Sequence, residues 1–379
     1  MFQMFSLFLL LLIARYCTAV NMAKYEEALK SYDKLQSLYI EKFGAGEMTA
    51  ESFDSFEEAL KFVVEQNKNP DIAWESDINF FAPMTKEERK DILLVPDYSS
   101  SSDYSGYKFD IGSNENESVD WVSDGFVREV QDQTTDCRSC WAFAAAVAIE
   151  GRYQLKTGDA VDFSEQEMVN CVYWAKARKE DGCYGGHYAD VFDFVGKFGH
   201  LADESSAPYE GKVGACDYDD VPNKLQKAYI DKSDTWTGVS WEDQAIIDTL
   251  LEGPIATGVK TTQSFLFYSS GVFQDDTCKT LIPNHAVALV GYDRVSYRVK
   301  NSWGKVWGDR GYMSVARGHH ACGMVFYGVV PNILTGTPDT SLITQPPACY
   351  DKWGEVFCSK YLAYCTYYKD WCAKSCDNC

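Results

Sequence analysis

Two cysteines, Cys137 and Cys140, stand three positions apart at the front of the run CRSCWAFAAAVAIEGRYQLKTG. A pair so spaced can be a redox couple, half of a zinc site, or a structural cysteine beside a nucleophilic one. A redox couple of the thioredoxin kind follows a strand and has an aromatic before its first cysteine; here Trp141 follows the second. Zinc would call for a second C-x-x-C or a histidine pair at ligand spacing, and the sequence offers neither. A purely structural role for both cysteines is a further alternative. Counting narrows the choice. Of fourteen cysteines, Cys17 falls in a leader, which leaves an odd number. In an oxidising compartment an odd cysteine is either a free thiol or an intermolecular partner. Cys140 is the best candidate for the free thiol. It begins a run apolar on all sides, which predicts a buried helix of about four turns that stops at Gly158. A thiol at a helix N-terminus feels the positive end of the helix dipole, which favours the thiolate.

A thiolate nucleophile needs a group that holds its charge and later passes a proton. The chain has five histidines, His187, His200, His285, His319 and His320. His285 starts HAVALVGYD, an alternating apolar stretch that reads as a strand beginning at a sheet edge. Alone, a histidine there would be structural. Its weight comes from the next strand, VSYRVK, and from Asn301-Ser-Trp303-Gly304 after it. An Asn side-chain carbonyl can accept from an imidazole N–H and fix the ring, and an indole beside it can keep water from that bond.

The length of 379 residues allows two or three folded units. A net charge of −21 argues against nucleic acid or an anionic membrane as partner. The N-terminus MFQMFSLFLLLLIARYCTAV has an apolar stretch too short to span a bilayer, with small residues at Cys17 and Ala19. It reads as a secretory signal peptide over 1–19, and no later run is long enough for a transmembrane helix. The remaining cysteines therefore read as disulfides around one free thiol. No cofactor and no metal are called for.

With these residues in view, the chain resembles papain-like cysteine proteases of the cathepsin L type, from SVDW to VVPN. The matching motifs are VDW at Val119 to Trp121, CRSCWAF around Cys140, SEQEMVNC ending at Cys171, CYGG at Cys183 to Gly186, NHAV at His285 and KNSWG at Asn301. The resemblance implies a two-lobed α+β fold, one lobe helical around Cys140 and the other a β-barrel-like sheet carrying His285 and Asn301. It implies Cys140 as nucleophile and His285 as general acid/base, resting as a thiolate–imidazolium pair, with Asn301 orienting His285 under Trp303. Gln133 and the Cys140 backbone N–H would hold the oxyanion. Substrate would lie against Gly185, Gly186 and Trp303, with Tyr188, Gly258, Pro283 and Tyr327 forming the second subsite upstream of the cut. The implied bridges are Cys137–Cys183, Cys171–Cys216 and Cys278–Cys322. Two departures stand out. Gln133 lies seven residues before Cys140, one more than is usual in the family. Arg138 replaces a usual glycine, which puts a bulky cation beside the first subsite upstream of the cut. A competing expectation is a non-catalytic binding protein with a disabled protease domain.

Residues 20–115 carry charge at helical spacing in AKYEEALKSYDKLQSLYIEKF and AESFDSFEEALKFVVEQNKN, which predicts two amphipathic helices. Their place ahead of the protease region, 116–333, and their likeness to the cathepsin L prodomain imply an inhibitory propeptide with a Ser- and Asp-rich cleavable linker at 96–115. The propeptide and peptide substrates are the expected partners, and a monomer is expected. Asn116 heads the N-glycosylation sequon. After a Thr- and Pro-rich linker, 334–348, six cysteines crowd into 349–379. That module resembles the ShK-toxin-like scaffold, which implies Cys349–Cys379, Cys358–Cys372 and Cys365–Cys376, and an extracellular interaction or targeting role.

Overall fold

The computed structural model describes residues 21–46, 48–93, 118–173, 181–199, 201–216, 230–231, 234–240, 242–276, 278, 282–319 and 321–333. The leader, the two linkers, Asn116 and the 349–379 module with its six cysteines lie outside the described residues.

The N-terminal segment folds as α1 (21–28), α2 (Tyr32–Phe43), α3 (Ala50–Lys68), β1 (Trp74–Ser76) and α4 (Lys86–Ile92). The single helix expected over 23–43 is two. Its break falls at Ser31, which is extended at φ −158°. The break lets Tyr25 and Ala28 of α1 face the same apolar cluster as Leu35, Leu38 and Tyr39 of α2. Thr49 caps α3 by accepting from the Ser52 N–H at 3.1 Å, and Ser52 Oγ accepts from the Thr49 N–H at 2.8 Å. That reciprocal pair satisfies donors the first helical turn leaves open.

The following region opens on β2 (Val119–Asp120) and has a helical lobe built on α5 (Cys140–Thr157). Around it lie α6 (Glu165–Cys171), α7 (Asp181–Tyr184) and α8 (Tyr188–Phe198). At 18 residues α5 makes about five turns rather than four, and it ends where Gly158 takes the left-handed conformation at φ 79°. It is not apolar on every side, because Glu150 and Arg152 are buried within it. Arg152 is satisfied by the carbonyls of Pro254, Thr249 and Gly253 at 2.9, 2.8 and 3.1 Å. Glu150 accepts the Phe163 N–H at 2.8 Å. Unpaired charge there would cost several kcal/mol, roughly, so these partners are a condition of the helix lying where it does.

The second lobe contains β3 (Trp236–Gly238), α9 (Asp243–Leu251), β4 (Ile255–Val259), α10 (Gln263–Leu266), β5 (Tyr268–Phe273), β6 (His285–Tyr292), β7 (Ser296–Lys300), β8 (Tyr312–Ala316) and β9 (Val329–Pro331). The strand order is β1-β5-β8-β7-β6-β4-β9-β3, with β2 also on β6. β6 is thus interior, paired antiparallel with β4 and β7. All eight of its residues are buried, so it does not alternate: α5 lies on one side and the sheet-lobe core on the other. Small residues Ala256 and Ala286 join the core cluster of α5, which lets helix and sheet approach closely.

The N-terminal segment does not stand apart. β1 adds to β5 antiparallel, Trp74 opposite Gly271, and its helices share one core with the sheet lobe. The chain pairs Cys137–Cys183, Cys171–Cys216 and Cys278–Cys322.

Candidate active site

Cys140 is the first residue of α5 and the one free cysteine among the described residues. Cys137, three residues earlier, is tied to Cys183, and the Arg138 N–H donates to the Cys183 carbonyl at 2.9 Å. The loop before the helix is therefore held from both sides. The backbone N–H groups of Ala286, Trp141 and Cys140 itself are close enough to favour the Cys140 thiolate. Cys140 and Ala286 share one buried cluster, which places the thiol near the start of β6, where His285 stands.

His285 Nε2 lies 2.7 Å from Asn301 Oδ1. The same oxygen accepts the Ser302 N–H at 2.8 Å. That identifies it as the carbonyl end of the amide, so Nε2 must be the donor. A neutral imidazole protonated on Nε2 keeps its lone pair on Nδ1. Nδ1 is buried with no partner among the described residues and is the nitrogen left to receive a proton. The Trp303 indole stacks on the His285 ring, centroids 4.3 Å apart and planes at 24°. Phe265 and Trp307 meet Trp303 edge-on at 5.6 and 5.4 Å. This aromatic wall keeps water from the Asn301–His285 bond, which raises its strength.

Burial dominates the electrostatics. It pushes the Cys140 thiol up to about 12, against the pull of the three N–H groups. It pushes His285 down to about 4, against the Asn301 hydrogen bond. In this covered form both shifts favour the uncharged groups, a thiol and a neutral imidazole, over the resting ion pair implied by the family likeness. Separated charges are unfavourable where water is excluded. The cover is the N-terminal segment. Phe81 packs edge-on against Trp303 with centroids 4.8 Å apart. Asn79 Nδ2 donates to the Leu266 carbonyl at 2.7 Å, and the Arg89 guanidinium lies over the Phe267 ring.

Gln133 is fully buried. Ser302 Oγ donates to its Oε1 at 2.7 Å, and its Nε2 donates to the Cys137 carbonyl at 3.3 Å. Its backbone N–H donates to the Ser302 carbonyl at 2.8 Å. The amide nitrogen is thus turned toward the loop that presents Cys140. In the longer stretch between Gln133 and Cys137, Thr134 has a left-handed φ of 63°. That conformation costs a β-branched residue about 1–2 kcal/mol, and a bond from the Thr134 N–H to Asp132 Oδ1 at 2.8 Å supports it.

The expected substrate wall is partly assembled. A Cβ at Gly258 would lie 2.8 Å from Pro283 Cβ and 3.6 Å from the Tyr188 hydroxyl, so these three residues adjoin and no side chain fits between them. Tyr188 Oη donates to the Tyr327 carbonyl at 2.6 Å. Tyr327 does not sit in a strand: Ala321–Phe326 form a 3₁₀ segment, and β9 starts only at Val329. The cause is local, since Cys322 takes φ 49° and Gly323 φ 96°, which turns the chain out of extended geometry. Tyr327 is half-buried. Gly186 packs on Trp141, where a Cβ would come within 2.6 Å of the indole, and Gly185 precedes it at φ 124°.

Sequence reasoning missed Ser302, which holds both Asn301 and Gln133, although it stands inside the KNSWG motif. It also missed the charges behind the site. Lys300 is buried and donates to the Arg128 carbonyl at 3.0 Å; burial pushes its pKa down, and Glu150 and Glu165 offset that only in part.

Residues 115–331 match the family model described as papain family cysteine protease. The chain is similar to a cathepsin L-like proteinase of Fasciola hepatica, 32% identical over 73% of this chain and 86% of that one. It is also similar to digestive cysteine proteinase 2 of Homarus americanus, 32% identical over the same shares. Among solved structures it resembles the ragweed pollen cysteine protease Amb a 11 in its proform (TM-score 0.68, 30% identity, 82% of this chain and 98% of that one). It likewise resembles digestive procathepsin L 3 of Tenebrio molitor (TM-score 0.64, 26% identity, 80% of this chain and 100% of that one).

Proposed function

The chain belongs to the papain family of cysteine proteases and is a peptide-bond hydrolase, and from that premise we propose a secretory-pathway endopeptidase, extracellular or lysosomal, made as an acid-activated zymogen with Cys140 as nucleophile. His285 Nδ1 takes the thiol proton, and the sulfur attacks the peptide carbonyl. The resulting oxyanion accepts from the Cys140 backbone N–H and Gln133 Nε2. His285 then gives its proton to the departing amine, leaving a thioester, and takes a proton from the water that hydrolyses it. Asn301 holds the imidazolium through Nε2 while it lasts. The observation that carries this reading is the Nε2···Asn301 Oδ1 contact of 2.7 Å under the Trp303 ring, which leaves Nδ1 as the working nitrogen beside the helix that begins at Cys140.

Residues 20–115 act as the inhibitory propeptide. Their removal wets the cleft and lets the thiolate–imidazolium pair form. Acid favours release through groups such as Glu88, which caps α4 by accepting the Thr85 N–H at 2.7 Å. That bond and the Thr85 hydroxyl hold its carboxyl below the ordinary 4.5. A carboxyl lowered by folding stabilises α4 above its unfolded value, and the contribution is lost as pH falls through the folded one. The six-cysteine segment 349–379, by its sequence likeness to the ShK-toxin-like scaffold, would serve an extracellular interaction. The test is an epoxide that alkylates a competent thiolate. Matured wild type should label and Cys140→Ser should not; absence of labelling after the propeptide is removed would mean a protease domain without a working nucleophile.

A further inference from the structure

Arg138 takes the place of the glycine usual between the two cysteine positions, and its side chain is occupied. Nε donates to the main-chain carbonyl of Asp91 at 2.6 Å, and Nη2 donates to the Asp91 carboxylate at 2.9 Å. The guanidinium also lies 5.8 Å from the centroid of the Tyr184 ring. The Arg138 side chain is 14% exposed and that of Asp91 is 76% exposed. The cation is therefore part of the wall and the anion is a guest on its surface. The Arg138 N–H bond to the Cys183 carbonyl, over the Cys137–Cys183 bridge, fixes the base of the side chain two residues before Cys140. Asp91 belongs to α4, at the end of the segment that covers Trp303. The covering segment thus reaches from the sheet lobe to the helical lobe across the position of Cys140, and its last anchor is one residue giving both a carbonyl and a carboxylate.

A substrate residue offers the same two acceptors when its side chain is acidic. The geometry points to Arg138, backed by Tyr184, as a subsite for aspartate or glutamate at the residue immediately upstream of the scissile bond. The inference rests on the reading of Cys140 as nucleophile, because Arg138 is placed by its distance in sequence from that thiol. When the propeptide leaves, Asp91 vacates the guanidinium, and the planar fork stays aimed by the bridge beneath it and by the Tyr184 ring, which is 60% exposed. A lysine would keep the charge and lose the fork. The guest side is open to solvent, so the preference is moderate, about two- to fivefold in kcat/KM.

The experiment uses matured wild type, Arg138→Gly and Arg138→Lys with three peptides identical except for Glu, Gln or Arg at the residue before the cut. Wild type should take Glu over Gln by about two- to fivefold at low salt, and the ratio should shrink at roughly 0.5 M salt as the charge is screened. Arg138→Gly should bring the ratio to one, and Arg138→Lys should leave an intermediate, more salt-sensitive ratio. A wild-type ratio of one or less, or a ratio unchanged in Arg138→Gly, overturns the subsite while leaving the nucleophile reading intact. If no peptide is cut by folded, matured protein, the nucleophile reading falls and the subsite falls with it. Should Arg138→Gly fail to fold, the wild-type salt dependence and the Arg138→Lys ratio decide the matter.

Discussion

Replacing Asn301 by alanine removes one oxygen that serves two buried donors. The Ser302 N–H loses its 2.8 Å partner and His285 Nε2–H loses its 2.7 Å partner. Each buried donor left unpaired costs about 1–3 kcal/mol. The Ser302 share is present before and after reaction, so it falls mainly on stability. The His285 share falls on catalysis in two ways. Without Asn301 the neutral ring is free to carry its proton on Nδ1, where it cannot receive the thiol proton. The imidazolium also loses a bond that strengthens as the ring becomes charged. Water entering beside Trp303 can replace part of that bond, so the expected loss in kcat is roughly 1.5–3 kcal/mol, about ten- to a hundredfold. The assay is steady-state hydrolysis of a short peptide by matured wild type, Asn301→Ala and Cys140→Ala, with unfolding curves to separate stability from turnover. The Asn301 bond raises the His285 value against the downward push of burial. In the variant the limb of the pH–rate profile that reports imidazolium should therefore move to lower pH. Equal loss in the two variants, or an unmoved profile at intact stability, would refute the orienting role.

Phe81 is fully buried against Trp303, and Phe81→Ala should cost the covered form about 3–5 kcal/mol. Full-length chain carrying it should show peptide hydrolysis at neutral pH where the wild-type proform shows little; an equally silent variant would place the covering contact elsewhere. Burial pushes Glu204 up to about 7, and its Oε2 has no partner among the described residues. A carboxyl raised by folding opposes folding once ionised, so its penalty should disappear as pH falls from about 7 toward 4.5. The Tm of the matured enzyme should rise over that window, and Glu204→Gln should flatten the rise; a Tm that falls over the same window in wild type contradicts the sign. Tyr327→Ala should raise kcat/KM for Phe relative to Val at the second residue upstream of the cut, since overpacking by a ring there would cost about 1–3 kcal/mol. A substrate series with the same Phe-to-Val ratio in both proteins would place the ring outside that pocket.

The sequence by itself determined which side chains could carry chemistry. An odd cysteine at the head of an apolar run, one histidine ahead of a strand, and an Asn-Ser-Trp-Gly turn after the next strand name Cys140, His285 and Asn301 without any coordinates. It also determined the long helix and its end at Gly158, because periodicity and a left-handed cap are local properties of neighbouring residues. What the tertiary structure decided is everything that depends on contacts far apart in the chain. The break at Ser31 answers to a shared core between α1, α2 and the sheet, and 23–43 shows no sign of it beyond a good capping residue. The interior position of β6 follows from pairing with β4 and β7, and burial on both faces removed the alternation expected of it. Which nitrogen of His285 is free was fixed by Ser302, whose N–H identifies the carbonyl end of Asn301. The burial that pushes the Cys140 thiol up and His285 down is a tertiary property, and the Phe81 ring against Trp303 comes from some sixty residues earlier in the chain than Cys140. The partner of Arg138 lies 47 residues away in α4. Hydrogen-bond partners and dielectric surroundings are properties of the assembled interior, and a linear reading of residue types contains neither.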